Sequence, residues 1–334
     1  MNIGIANDLP LAVEAMRRAI ALRPEHRVLW VAADGAQAVD FCIAQPPDVV
    51  LMDLIMPKFD GVEATRRIMA RAPCSILIVT SSVGANAWRV YEAMSAGALD
   101  AVDTPTLADH RVADAAQPLL AKIDQIGRLL DKPAAYQQRP SAPLTRGDAP
   151  LIAIGASAGG PGALATILGN LPPDFSAPIV IVQHVDKAFA QGMAQWLDEQ
   201  TLLTVRAAVS GDTPQPGQAL LAATNDHLHL TRHGSLDYTR EPADTPYRPS
   251  VDVFFHSVVE HWHGDAVGVL LTGMGRDGAI GLKAMRAKGY QTIAQDQATS
   301  AVYGMPKAAA ALDAARLILP LGSIAGELTT IIKR

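Results

Sequence analysis

Along residues 1–130, short apolar runs alternate with amphipathic stretches. The runs are IGIA (3–6), VLWVA (28–32), DVVLMD (48–53), SILIVT (75–80) and LDAV (99–102). Between them, LAVEAMRRAI (11–20) and VEATRRIMAR (62–71) carry apolar residues at helical spacing. Five βα units in this order predict a parallel sheet covered by helices on both faces. Runs that are apolar throughout, rather than alternating, suit strands buried on both sides. The rhythm breaks over 131–149, DKPAAYQQRPSAPLTRGDA, where three prolines and scattered charge mark a semi-stiff linker. It resumes with LIAIGA (151–156), IVIVQ (179–183), AVGVLL (266–271) and TIA (292–294), while 205–250 reads as short strands and turns of weaker signal.

Length agrees with this division, since 334 residues make about two domains. Apolar residues are 49% and charged residues 18%, a globular mix that excludes a disordered chain. A net charge of -5 supplies no basic field for nucleic acid or anionic lipid, and 5% aromatics are too few for a base-stacking platform. The start, MNIGIANDLP, lacks a basic segment and carries Asp8, so no signal peptide is expected. The charge-free stretch Ala149–Pro173 is long enough to span a bilayer, but its four prolines and five glycines read as a buried strand and a glycine-rich turn. Membrane insertion is therefore not expected. Cys42 and Cys74 form no CxxC, which argues against a disulfide framework or a cysteine zinc site and for a reducing cytoplasm.

Candidate chemistry in the first half sits at strand ends. Asp8 follows the first run, Asp53 ends the third and Thr80 ends the fourth. In a doubly wound sheet these ends form the ligand edge, so two carboxylates and a hydroxyl should meet there and suit Mg²⁺. The plain alternative for Asp8 is a helix N-cap. Asp53 in LMDLIMP (51–57), with Asp8, Thr80 and GALDAVDTP (97–105), resembles a response-regulator receiver domain of flavodoxin-like (βα)5 fold. The resemblance implies phosphorylation of Asp53 by a histidine kinase, with Mg²⁺ held by Asp8, Asp53 and the Ile55 carbonyl and with Thr80 as the switch hydroxyl. Two departures stand out. Asn7 replaces the first acid of the usual acidic pair, which should weaken metal binding without abolishing it. Thr104 replaces the usual lysine and Ala101 the switch aromatic, which should alter the conformational readout.

In the second half three strands each end at a reactive group: LIAIGA at Ser157, IVIVQ at His184, and AVGVLLTGMGR at Asp277. Serine as nucleophile, histidine as base and aspartate as orienter compose an acyl-transfer site. Gly155-Ala-Ser157-Ala-Gly159 matches the strand–turn–helix elbow G-x-S-x-G. The plainer readings are an N-cap serine, a hydrogen-bonded core histidine and a turn aspartate. A generic α/β-hydrolase requires a histidine after the acid, yet the last one, His263, precedes Asp277. Ser157 with an intervening Asp and His256, His261 or His263 would keep that order. Gly273-x-Gly275-x-x-Gly278 with Asp296 fits a dinucleotide fingerprint, but only 38 residues follow Asp296. His227-x-His229 and His261-x-His263 offer metal-ligand pairs, yet Ala266 stands where a further histidine is needed, and surface histidines are the expected reading.

IGASAGG (154–160), VQH (182–184), RPSVDVFFHS (248–257), LTGMGRDGA (271–279), TIAQDQA (292–298) and YGMPKAA (303–309) together resemble the chemotaxis-type protein-glutamate methylesterase family, CheB. The missing receiver lysine is more like its surface-sensing branch, WspF. The resemblance implies a receiver over 1–125, a linker over 126–149, and a catalytic domain over 150–334 with a doubly wound parallel sheet. It implies that Ser157 attacks a receptor glutamate methyl ester, that His184 relays the proton, that Asp277 orients His184, and that the Met274 backbone N–H serves the oxyanion. Glutamine deamidation would follow the same chemistry, with no cofactor. Ala158 replaces a threonine common in the family, with at most a modest effect on rate. The partners implied are methyl-accepting chemoreceptor-type proteins as substrate and a CheA-type histidine kinase as phosphodonor. The unphosphorylated receiver is expected to cover the Ser157 site, and phospho-Asp53 to release it. The other reading is a phosphorylation-gated receptor scaffold with secondary esterase activity.

Overall fold

The computed structural model describes residues 1–106, 112–131 and 150–333. They fall into two compact units, one from each side of the linker sequence. Residues 132–149 of the expected linker lie outside the described residues.

The first unit runs β1 (Asn2–Ala6), α1 (Pro10–Ala21), β2 (Arg27–Ala32), α2 (Gly35–Ala44), β3 (Val49–Met52), α3 (Gly61–Arg71), β4 (Ser75–Thr80), α4 (Ala87–Ser95), β5 (Asp100–Asp103) and α5 (Val112–Asp131). Its sheet is parallel, in the order β2-β1-β3-β4-β5. Every residue of β3 and β4 is buried, as their unbroken apolar runs require. The order reverses between β1 and β3, so the ends of these strands open a crevice. α5 extends to Asp131, beyond the boundary expected at 125. The reason is its apolar face: Leu119, Leu120, Ile123 and Ile126 recur at helical spacing and are all buried.

The second unit runs β6 (Leu151–Ala156), α6 (Gly160–Gly169), β7 (Ile179–Gln183), α7 (Lys187–Asp198), β8 (Thr204–Ala207), β9 (Gln218–Leu221), β10 (His227–Leu230), β11 (Leu236–Thr239), α8 (Val251–His261), β12 (Ala266–Leu270), α9 (Ala279–Lys288), β13 (Gln291–Gln295), α10 (Met305–Ala311), β14 (Leu317–Leu319) and α11 (Leu321–Ile332). Seven strands form a parallel sheet, β14-β13-β12-β6-β7-β9-β8, and β10 pairs with β11 as an antiparallel hairpin. The chain winds one way from β6 through β7 and the other way from β12, so β6 and β12 flank the switch point. The charge-free stretch from 149 contributes β6, a turn and α6. Among the described residues no helix is long and apolar enough to cross a membrane.

Helix α8 shapes the site from below. Ser250 caps it, accepting the Val253 N–H, and every residue from Val251 to Val258 is buried against strands and α9. Phe254 and Phe255 are fully buried, each contributing about 1.5–3 kcal/mol by removal from water. The same packing overturns one expectation: His227 is not a surface histidine but fully buried, because β10 lies under α8.

Candidate active site

Parallel pairing of β6 with β7 sets Ala156 opposite Gln183, so the next residue on each strand, Ser157 and His184, emerges at neighbouring strand ends. The His184 N–H donates to the Ala156 carbonyl at 3.0 Å, and the Gln183 Nε2 donates to the Ser157 carbonyl at 2.9 Å, tying the two ends together. The Ser157 N–H donates across the switch point to the Thr272 carbonyl at 3.0 Å. The turn then closes through Gly159, in the left-handed region at φ 79°, into the first turn of α6. Ser157 is 5% exposed.

Asp277 arrives from the loop after β12. His184 Nε2 lies 2.8 Å from Asp277 Oδ2. A carboxylate facing Nε2 assigns that nitrogen the proton and leaves the imidazole lone pair on Nδ1. Asp277 Oδ2 also accepts the Val251 N–H at 2.7 Å, and its Oδ1 accepts Ser250 Oγ at 2.9 Å and the N–H groups of Asp252 and Gly278 at 3.0 Å. Burial opposes ionisation of this carboxyl, but the His184 hydrogen bond and charge and the α8 amides outweigh it, holding it below the usual carboxylate range. The positive end of α8 works in the same direction.

Behind Asp277 the restraint continues. The Ser250 N–H donates to His227 Nδ1 at 3.1 Å, and His227 Nε2 donates to the Pro242 carbonyl at 3.3 Å. Burial pushes the His227 imidazole down, in the same direction as the Ser250 N–H, which needs an acceptor lone pair on Nδ1. Asp252 accepts the Gly281 N–H at 2.6 Å at the start of α9. Burial, then the charge of Asp277, pushes the Asp252 carboxyl well above its ordinary range.

Met274 lies in the same loop, half-buried. The preceding Gly273 donates its N–H to the Val302 carbonyl at 3.0 Å, and its carbonyl accepts from Gly304 and Met305 at 3.1 and 2.9 Å. A Cβ on Gly273 would come within 2.8 Å of Ser157 Cβ, so this backbone lies directly against the serine.

At the receiver crevice, Asp53 is the first residue after β3 and is buried. Its N–H donates to the Ala6 carbonyl at 2.9 Å; its Oδ2 accepts Asn7 Nδ2 at 3.1 Å and its Oδ1 the Leu54 N–H at 2.7 Å. Burial first, then the charge of Asp8, pushes its carboxyl up to about 6, against backbone hydrogen bonds from Ile55 and Leu54. Asp8 and Ile55 are exposed, and Thr80 ends β4, its Oγ1 accepting Asn86 Nδ2 at 3.3 Å. The Thr104 N–H donates to the Thr80 carbonyl at 2.8 Å, and Ala101 is buried in β5.

A family model described as CheB methylesterase matches residues 152–328, and one described as response regulator receiver domain matches residues 3–114. The chain belongs to the CheB methylesterase family. Among its relatives are the protein-glutamate methylesterase/protein-glutamine glutaminase 1 of Burkholderia lata, 76% identical over 332 residues and 99% of each chain, and the protein of that name numbered 4 from Burkholderia thailandensis, 71% identical over 336 residues, covering all of this chain and 98% of the relative. The second unit is similar to the crystal structure of the Thermotoga maritima CheB methylesterase catalytic domain, at 34% identity and a TM-score of 0.53, over 55% of this chain and 99% of that one. CheB membership also accounts for the order of the two units along the chain.

Three residues of the site carried no role in the sequence reading: Tyr247, Ser250 and Asp252. Ser250 had a local signal, a serine opening an apolar run. Tyr247 had none, because one aromatic in a loop does not disclose its neighbour. Gly273, Gly275 and Gly278, which suggested a dinucleotide fingerprint, instead shape the loop that carries Met274 and Asp277.

Proposed function

We propose that this chain is a phosphorylation-gated protein-glutamate methylesterase and glutamine deamidase acting on chemoreceptor-type signalling proteins. The observation that carries the reading is the 2.8 Å contact of His184 with Asp277 at the switch point that also presents Ser157. Ser157 Oγ attacks the ester carbonyl while His184 Nδ1 takes its proton. The Met274 N–H faces the oxyanion of the tetrahedral intermediate. Collapse expels methoxide, which takes the proton from His184 and leaves as methanol. Water then attacks the acyl-serine, again deprotonated by His184, and the glutamate carboxylate is released as Ser157 regains its proton. Ammonia replaces methanol when the substrate is glutamine. The reaction requires no cofactor.

The receiver reading makes Asp53 the phosphoryl acceptor from a CheA-type kinase, with Thr80 Oγ1 donating to the phosphoryl oxygen. The donors at the crevice suit Mg²⁺: all are oxygens, and the mutual repulsion of Asp53 and Asp8 is what a hard cation relieves. Asp8, Asp53 and the Ile55 carbonyl would hold it, and it would offset the charge of the incoming phosphoryl group. Thr104, where the usual receiver lysine is missing, favours the surface-sensing branch. The site of action is the cytoplasmic face of the receptors.

The test is methanol release from methylated receptor membranes, with and without a small phosphodonor, beside Ser157→Ala. Release that needs Ser157 and rises with phosphodonor is expected. Full release by Ser157→Ala defeats the triad, and release that ignores the phosphodonor defeats the gate.

A further inference from the structure

The phenol ring of Tyr247 stacks on the His184 imidazole, with centroids 4.8 Å apart and planes 19° from parallel. Tyr247 is 6% exposed, so its position is set by the surrounding protein rather than by solvent. Its hydroxyl reaches into the loop after β12. Arg276 N–H donates to Tyr247 Oη at 3.4 Å, and a Cβ on Gly275 would come within 2.1 Å of that oxygen. Gly275 holds φ at 81°, which favours glycine on its own account. One side chain thus touches the imidazole with its face and the segment between Met274 and Asp277 with its hydroxyl.

The geometry calls for such a contact. A single hydrogen bond from Nε2 to Asp277 fixes one end of the imidazole but leaves the ring free to tilt about that bond. Nδ1 then sweeps through an arc, and proton transfer from Ser157 depends on its aim. A flat ring parallel to the imidazole removes the tilt. It also meets the imidazolium that forms during reaction with its π face, a contact that strengthens as charge develops.

We propose that Tyr247 is a positioning residue for the esterase reaction. Its ring holds the plane of His184, and its hydroxyl holds the Gly275–Arg276 backbone, so that base and oxyanion donor keep register with Ser157. This rests on the Ser157–His184–Asp277 reading given above.

The experiment compares kcat and KM for methanol release by the full chain carrying Tyr247→Leu, Tyr247→Phe or Ser157→Ala, with thermal unfolding recorded for each. Leucine keeps an apolar side chain at the position without a flat face. Phenylalanine keeps the face and loses the hydroxyl. Tyr247→Leu is expected to lose at least tenfold in kcat with KM within twofold of the parent. Tyr247→Phe is expected to recover kcat to within threefold. A merely structural role would lower the unfolding midpoint and active fraction of both variants in proportion, without this split. Should Tyr247→Leu not fold, Tyr247→Met takes its place, since an unbranched side chain fills irregular gaps. Parental kcat in Tyr247→Leu, a loss confined to KM, or equal loss in the leucine and phenylalanine variants overturns the proposal. Full turnover by Ser157→Ala overturns the triad instead, so the two failures are told apart.

Discussion

Asp277 is the residue on which most of the catalytic half converges. Its two oxygens accept five donors: His184 Nε2, Ser250 Oγ and the N–H groups of Val251, Asp252 and Gly278. None of these groups is an acceptor in its bond to Asp277. Asp277→Asn would turn an NH2 toward at least one donor and draw the imidazole toward the wrong tautomer. The expected outcome is a drop in kcat of about 10³–10⁴, the scale seen when a triad acid becomes an amide, with KM little changed. Steady-state methanol release decides it, and a loss under tenfold would show that Asp277 does not set the tautomer. The placement of Ser157, His184 and Asp277 beyond strand ends was legible in the sequence, because each follows an apolar run within a few residues. Ser250 and Asp252 hydrogen-bond Asp277 and Tyr247 stacks on His184, and contact across 25 to 63 residues of chain leaves no local trace.

At the scale of elements, α8 and α9 cap one another. Asp277, just before α9, accepts the first amides of α8, and Asp252, at the start of α8, accepts the Gly281 amide of α9. This cross-capping fixes the loop that presents Asp277 and accounts for RPSVDVFFHS and LTGMGRDGA lying together. The same helix carries His256, whose imidazole burial pushes down to about 4. A histidine with a depressed folded-state pKa contributes stability that is fully present above its unfolded value and is lost as pH falls toward the folded one. The unfolded value is about 6.5, so protonating the unfolded chain costs the fold about 2 kcal/mol between pH 7 and pH 5. Comparing denaturant midpoints of the parent and His256→Gln at both pH values isolates this contribution, because groups common to both chains, Asp252 among them, cancel. The gap between the two proteins should move by about that amount in favour of the variant at pH 5, and a gap independent of pH would refute a neutral buried His256. Central strands were legible as unbroken apolar runs. β8 and the β10–β11 hairpin were legible only as short strands of weak signal within 205–250, and edge strand β14 was not, since short, partly exposed segments lack a distinct period.

Across the whole molecule two sheets, each reversing strand order once, place one site each: Asp53 at the reversal between β1 and β3, and Ser157 with the Asp277 loop at that between β6 and β12. The proposed phosphorylation gate links the two sites only within the full chain. Asp53→Asn should keep phosphodonor-independent turnover and lose all stimulation by a small phosphodonor, measured as methanol release. Stimulation that persists in Asp53→Asn would place the gate elsewhere. Thr104 and Ala101, in place of a lysine and an aromatic, predict that the stimulation of the parent is modest even when Asp53 is fully phosphorylated.

What the amino-acid sequence determined by itself was the list of buried strands, their βα order, and the reactive residues at their ends. Burial and periodicity are local properties, written in consecutive residues. Tertiary structure alone decided the rest: that His184 presents Nε2 to Asp277, that α8 and α9 exchange caps, that His227 is buried behind Ser250, and that the Tyr247 ring stacks on the His184 imidazole. Those facts depend on how close distant segments come once the core excludes water, and distances of a few ångströms between such segments are set by packing, which no single stretch of sequence contains.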